Sequence, residues 1–252
     1  MRPDALRSLV RDLNTPAGRA RRGRLFVEGV RFVHRAADAG ALERLVVSKA
    51  LLRSPPGQRL VRHRARDGVP VTRVTPEQFR SLSTAQRASG LAAIVRTPWR
   101  SLADLGPGPL LVVRRLRSNG NLGTLMRSAD ALGAGGLVVI GDAVDPWSPD
   151  VVRASMGSVF GLPIVRCSLP DLLALDRRLL AADADGSIAL GHDPLPPRVA
   201  FFLGDERKGI APEDRRRCHG AVRIPMVGSV DSLNVAQAGT VLLYEATRQA
   251  PK

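Results

Sequence analysis

Residue types that carry metal, redox or membrane chemistry are scarce in this 252-residue chain. Its two cysteines, Cys167 and Cys218, lack the spacing of a zinc or thiol-disulfide motif, so neither a metal nor a disulfide is expected. The four histidines, His34, His63, His192 and His219, are scattered without any HxxxH-type pairing. No apolar run approaches the roughly 20 residues that span a bilayer, and the basic N-terminus is not followed by the apolar segment of a signal peptide. A cytoplasmic location is therefore expected. There is no internal repeat at roughly 20 to 50 residues and no low-complexity tract. Lysine is rare as well: only Lys49, Lys208 and Lys252 stand among 38 basic residues, a preference for arginine that GC-rich coding produces.

What is present is apolar content and positive charge. Hydrophobic residues make up 44% of the chain, enough for one large or two small cores. The formal net charge is +15, and it is unevenly placed. Residues 1–96 hold 20 Lys+Arg against 7 Asp+Glu, whereas residues 97–252 hold 18 against 16. Codon bias explains arginine over lysine but not this asymmetry, which is the footprint of a module that holds a polyanion, with RNA or DNA the leading candidate. The candidate contacts are Arg19, Arg21, Arg22, Arg24, Arg31 and Arg35.

The periodicity reads as α/β throughout. Residues 1–18 form a short basic helix with Leu6, Leu9, Val10 and Leu13 at helical spacing, ending near Asn14-Thr15-Pro16, and are expected to act as an arm. Over 19–96 the short strand-like runs RLFVEG, LERLVVS, PVTRV and GLAAIV alternate with helix-like stretches, giving a small RNA-binding α/β domain. Residues 97–109 concentrate Pro and Gly and are the linker candidate. From 110 to 252 the alternation restarts with LLVV, GGLVVI, LPIVR, LLAADA and VAFFLG, each compact enough for a buried parallel strand. Helices are expected at 121–133, 148–156, 170–177, 212–218 and 232–248, giving a second α/β domain.

Three segments break that plain alternation. RSNGNLGTLMRSADALGAGG (117–136) joins a Gly-rich elbow to a helix carrying Arg127. FFLGDERKGI (201–210) runs a strand into Gly204, four charges and Gly209. VRIPMVGSVDSLNVAQAGTVLLYE (222–245) places Ser232 and Asn234 at the start of an apolar helix, where they are suited to capping. A Gly-rich elbow alone says little, since α/β folds use many of them. A dinucleotide-binding reading fails because GNLGTL lacks the GxGxxG spacing and the acidic residue that follows it.

Taken in order, the three segments resemble the signature motifs of the SpoU/TrmH family of RNA 2′-O-ribose methyltransferases, of the SPOUT class. NLGTLMRSA matches N-x-G-x-x-x-R-T-A with Ser128 for threonine; GDERKG matches G-N-E-x-x-G with Asp205 for asparagine; IPMVGSVDSLNV matches the third motif without departure. LFVEGVRFVHRAADAG is similar to the start of the ribosomal-protein-like domain that precedes the catalytic domain in many members. The resemblance implies a parallel sheet closed by a deep C-terminal trefoil knot, an exception to the rule against threaded chains. It implies S-adenosylmethionine in a pocket made by Leu203, Gly204, Gly209, Ile224, Met226, Ser232 and Leu233. It also implies a site of Asn121, Arg127, Glu206, Ser232 and Asn234, and a homodimer joined through the knot.

An arginine with a pKa above about 12 is a poor base, so Arg127 is expected to stabilise the developing alkoxide and grip a phosphate, with Glu206 orienting it through a charged pair. Ribosomal RNA is preferred to tRNA because the tRNA-modifying members more often lack a separate N-terminal domain. The arginine-rich composition suits a resistance methyltransferase but does not separate it from a housekeeping one. The alternative from another class is a non-catalytic RNA-binding protein on the same scaffold, for which Asp205 is the only sign.

Overall fold

The computed structural model describes residues 1–250 and divides into two compact units, one of Met1–Pro98 with Trp147–Gly161 and one of Trp99–Pro146 with Leu162 onward. The first begins with α1 (Pro3–Leu13), α2 (Pro16–Arg22), β1 (Arg24–Glu28), α3 (Val30–Asp38) and β2 (Leu42–Val47). It continues with α4 (Pro55–Arg66), β3 (Val71–Arg73), α5 (Pro76–Leu82) and β4 (Leu91–Arg96). Four of these helices start on proline, whose missing N–H is lost at no cost in the first turn. Thr15, Ser54 and Thr75 cap three of them with side-chain oxygens. The sheet order is β1-β4-β2-β3, antiparallel except for the β2–β3 pair, which leaves β3 as an edge.

The expectation of an arm over residues 1–18 is corrected by the packing. Leu6, Val10 and Leu13 of α1 are buried in a core with Phe26, Val46, Phe79, Leu82, Ala92 and Ile94. Each such side chain contributes about 1.5–3 kcal/mol by leaving water, which an arm in solvent would forgo.

The second unit opens with β5 (Trp99–Arg100) and β6 (Leu110–Arg114), followed by α6 (Asn119–Ala131) and β7 (Gly136–Ile140). Trp147–Gly161, which holds α7 (Pro149–Ala154), then belongs to the first unit, where α7 packs against β1. The second unit resumes with β8 (Ile164–Cys167), α8 (Leu169–Leu173), β9 (Arg178–Ala182), β10 (Ile188–Ala189) and β11 (Val199–Leu203). It ends with α9 (Pro212–Arg215), β12 (Gly220–Arg223) and α10 (Val235–Gln249). The eight strands run in the order β10-β12-β9-β11-β6-β7-β8-β5, with every neighbouring pair parallel. Its central strands are continuous apolar runs because both faces are covered.

The 97–109 stretch is not a free linker. Trp99 and Arg100 pair with Ile164 and Val165, the Trp99 ring takes the Arg166 guanidinium at 4.5 Å, and the Gly106 N–H donates to the Gly135 carbonyl at 2.8 Å. The two-residue strands β5 and β10 and the strand β12 are additions to the strands read from the sequence. Among the described residues no helix is long and apolar enough to cross a membrane.

Candidate active site

In open parallel sheets, ligands bind where the strands end at their carboxyl edge. Here β6, β11 and β12 deliver the three distinctive segments to that edge. The first starts α6. Ser118 is its N-cap, its Oγ accepting from the Asn121 N–H at 3.2 Å, so the helix begins two residues before Asn121. The second is a tight turn after β11, in which Asp205 and Gly209 exchange backbone hydrogen bonds of 3.0 and 2.9 Å. Gly209 sits at φ +65°, and a Cβ on Gly204 would stand 2.2 Å from the Gly209 carbonyl oxygen, so glycine is required at both positions. The third starts α10, where Asn234 is the N-cap and accepts from the Ala236 N–H at 2.9 Å.

These starts are tied together by one run of polar contacts. The Asn234 side-chain amide donates to Asn121 Oδ1 at 3.1 Å, and Asn121 Nδ2 donates to Glu206 Oε1 at 3.2 Å. Glu206 also accepts from the backbone N–H groups of Ser118 at 3.0 Å and Arg117 at 3.2 Å. A carboxylate there faces the positive end of α6. Desolvation pushes the Glu206 carboxyl up, but the hydrogen bonds from its own N–H, Ser118, Asn121 and Arg117 together hold it below the ordinary glutamate value. Behind this run, α6 and α10 pack closely: a Cβ on Gly239 would meet Leu125 Cδ2 at 2.4 Å. Ser128, where the motif usually has threonine, bonds Thr240 Oγ1 at 2.7 Å.

Arg127 lies exposed on α6, and its guanidinium has no ion-pair partner among the described residues. The expected Glu206–Arg127 pair is therefore corrected. Glu206 is occupied by the α6 start, while Arg127, six residues beyond Asn121, is displayed to solvent. Asp205 is explained by the turn it organises: its Oδ1 accepts from the N–H groups of Arg207 at 2.8 Å and Lys208 at 3.0 Å, and its Oδ2 meets Arg117 Nε at 3.1 Å. Those contacts hold its carboxyl below the ordinary value.

Beside this site lies a cavity of about 560 Å³, lined by Ala182–Ala184, Val222–Met226 and Val230–Leu233 among others. Of the pocket residues expected from the sequence, Ile224, Met226, Ser232 and Leu233 line it, whereas Leu203, Gly204 and Gly209 do not. Leu203 is 2% exposed and packs in the sheet. Ser232 does not sit in the first helical turn; α10 starts at Val235, which leaves Ser232 exposed in the preceding loop. Two carboxylates, Asp183 and Asp231, line the cavity and were not anticipated. Burial pushes the Asp183 carboxyl up, but the Asp185 N–H and Arg215 outweigh it and hold it low. The apolar Val222, Ile224, Met226 and Leu233 suit an adenine ring, the carboxylates suit cationic sulfonium and ammonium groups, and the volume falls in the range of about 300–1,000 Å³ usual for such ligands. The residues therefore fit S-adenosylmethionine.

The arginines expected to hold RNA fare unevenly. Arg19 is 3% exposed and donates to the Leu13 carbonyl at 3.0 Å, so it anchors α2 rather than contacting a ligand. Arg21 and Arg22 both pair with Asp12, and Arg24 pairs with Glu43 at 2.5 Å. Arg35 is exposed, with its stem against Gly157. Arg31 is exposed and unpaired among the described residues. The sequence reading overlooked Lys49, Arg62 and Arg73, which surround a cavity of the first unit.

A model of the SpoU rRNA Methylase family matches residues 109–244, and one of an MRM3-like substrate binding domain matches residues 8–93. A 23S rRNA (uridine(2479)-2′-O)-methyltransferase of Streptomyces viridochromogenes is 41% identical over 145 residues, 54% of this chain and 50% of that protein. The aligned chain thus spans half the length of that relative. A 23S rRNA (guanosine-2′-O-)-methyltransferase of Xylella fastidiosa is 33% identical over 199 residues, covering 73% of this chain and 80% of that protein. Among solved structures, the SpoU methyltransferase AviRb from Streptomyces viridochromogenes in complex with the cofactor AdoMet superposes with a TM-score of 0.85 at 30% identity, covering 97% of both chains. With three motifs joined by one polar run, and with these matches, the chain belongs to the SpoU rRNA methylase family.

Proposed function

We propose that this protein methylates a ribose 2′-hydroxyl of structured RNA, with 23S ribosomal RNA as substrate and S-adenosylmethionine as donor. The observation that carries the reading is the Asn234–Asn121–Glu206 run, which joins all three motifs, the third of which lines a cavity suited to that donor. Ile224, Met226 and Leu233 would hold the adenine, and Asp231 would offset the donor's positive charge. The donor supplies a methyl group on a sulfonium. Arg127 stabilises negative charge on the 2′-oxygen as its proton leaves, and its planar fork grips the adjacent phosphate. The proton passes to that phosphate or to water, because Arg127 stays charged. Asn121 and Asn234 keep the loops in place and Glu206 fixes the start of α6, so all three act by positioning.

The same proposal includes a homodimer joined through a knotted C-terminal region. Its support is the exposed apolar set Val227, Val230, Val241 and Tyr244 in the second unit, together with a strand order in which β12 lies between β9 and β10. The choice of 23S ribosomal RNA as substrate follows the names of the relatives. Asp205 no longer supports a non-catalytic reading, since its contacts build the turn. The test is transfer of labelled methyl from S-adenosylmethionine to deproteinised bulk ribosomal RNA, followed by alkaline hydrolysis. Label in alkali-resistant dinucleotides is expected; label absent, or only on bases, overturns the reading.

A further inference from the structure

The first unit contains a second cavity of about 560 Å³, between the end of β2, α4 and the edge strand β3. Val47 and Leu52 form a buried floor, and Val61 and Val71 line it half-buried. Lys49, Arg62 and Arg73 line its exposed rim; no acidic residue lines it, and none of the three cations has an ion-pair partner among the described residues. Elsewhere in the unit four acids are held by other arginines: Asp12 by Arg21 and Arg22, Glu43 by Arg24, and Asp38 and Asp67 by Arg64. At this cavity positive charge is thus left uncompensated above an apolar floor. Gln58 also lines the cavity; its Nε2 donates to the Leu52 carbonyl at 2.9 Å, which fixes the side chain and leaves its amide oxygen to accept from a ligand.

We propose that this cavity receives one unstacked nucleotide of single-stranded RNA. The base lies on the valine and leucine floor, with the Gln58 oxygen accepting from its edge, and the flanking phosphates sit among Lys49, Arg62 and Arg73. An apolar floor needs a flat apolar face, which a base inside a duplex hides, whereas the cationic rim needs a polyanion. No aromatic side chain lines the cavity, so affinity comes from the phosphates and discrimination from Gln58. The proposal rests on the reading that the protein acts on RNA, and it assigns where in the first unit a looped-out nucleotide is held.

The test titrates the full chain, carrying labelled valine and leucine methyl groups, with hexauridylate, an RNA duplex, 5′-UMP and hexaglutamate. Hexauridylate is expected to shift the methyl signals of Val47, Leu52, Val61 and Val71, and the duplex to leave them in place. Lys49→Ala/Arg62→Ala/Arg73→Ala should weaken hexauridylate at least tenfold. Arg2→Ala/Arg7→Ala/Arg11→Ala removes the same charge from exposed positions on and beside α1 and should weaken it less than threefold. Val61→Trp should weaken it by filling the cavity with no change of charge. Equal losses in the two triple variants, shifts as large with duplex or hexaglutamate, or 5′-UMP binding as tightly as the oligonucleotide would each overturn the assignment. Methyl transfer to ribosomal RNA separates it from the function. Shifts without transfer leave the cavity standing and reject the methyltransferase reading, whereas undiminished transfer in both cavity variants rejects the cavity alone.

Discussion

Two cavities of the same size, about 560 Å³, lie in the two units and have opposite linings. The one in the second unit is built where parallel strands end and carries Asp231 and Asp183, the latter paired with Arg215, beside Arg223; the one in the first unit carries three cations and no acid. Volume is thus uninformative, and the sign of the lining does the sorting: a cationic donor suits the first lining, a polyanion the second. The charge asymmetry of the sequence becomes, in the structure, a difference between two cavities. It also shows that counting arginines is not enough, because Arg21, Arg22 and Arg24 are paired with Asp12 and Glu43.

The largest expected effect breaks the catalytic side of that comparison. Arg127→Ala should lower methyl transfer about 100-fold or more at saturating RNA, roughly 3 kcal/mol of transition-state stabilisation, while calorimetry finds S-adenosylmethionine affinity nearly unchanged. Arg127→Lys should recover little, since it keeps charge but loses the bidentate fork. Next, Gly204→Ala should lower turnover at least tenfold, because its Cβ pushes the Gly209 backbone away and moves the turn that carries Glu206. Glu206→Ala should lower turnover about tenfold and melt the contacts at the start of α6, with Glu206→Gln intermediate.

A pH titration sharpens that last point. Glu206 ionises below its ordinary value of 4.5, so its contribution to stability is complete above that pH and is lost as the pH falls through the lowered value. Glu206→Gln should flatten that acid limb in thermal melts. The smallest effect is expected for Asp205→Asn, a change of under threefold in turnover, because an amide oxygen can still accept from Arg207 and Lys208 and only the Arg117 pair is weakened.

Much of this was legible in the sequence, and the parts that were not share a cause. Continuous apolar runs such as 110–113 and 199–203 appear as strands because burial on both faces leaves no polar alternation to mislead. The amphipathic face of α1 was visible in Leu6, Val10 and Leu13, but the fact that it is covered is tertiary, so an expected arm became core. Trp99–Arg100 hides among Pro and Gly because two paired residues carry no periodicity. At the site, the motifs identified Asn121, Glu206 and Asn234, but the partner of Glu206 depends on where β11 ends relative to α6, which local spacing does not encode. Ser118, three residues before Asn121, was a capping signal that spacing alone offered. The burial of Arg19 depends on the Leu13 carbonyl it meets, and the open rim of Lys49, Arg62 and Arg73 on which acids fold nearby.

That pairing also governs how the division of labour is best tested. Deleting residues 1–96 would strip the packing from Val151, Val152, Val159 and Phe160, which are buried within the same unit, so substitutions are cleaner than truncation. The decisive measurement crosses two full-length variants with two ligands. Ile224→Trp fills the cavity of the second unit, and Lys49→Ala/Arg62→Ala/Arg73→Ala discharges that of the first. Titrated with S-adenosylmethionine and with bulk ribosomal RNA, Ile224→Trp should lose at least tenfold in donor affinity and stay within threefold for RNA. The triple variant should show the reverse. If either folded variant weakens both ligands equally, or weakens only the ligand assigned to the other unit, the two-cavity account is contradicted.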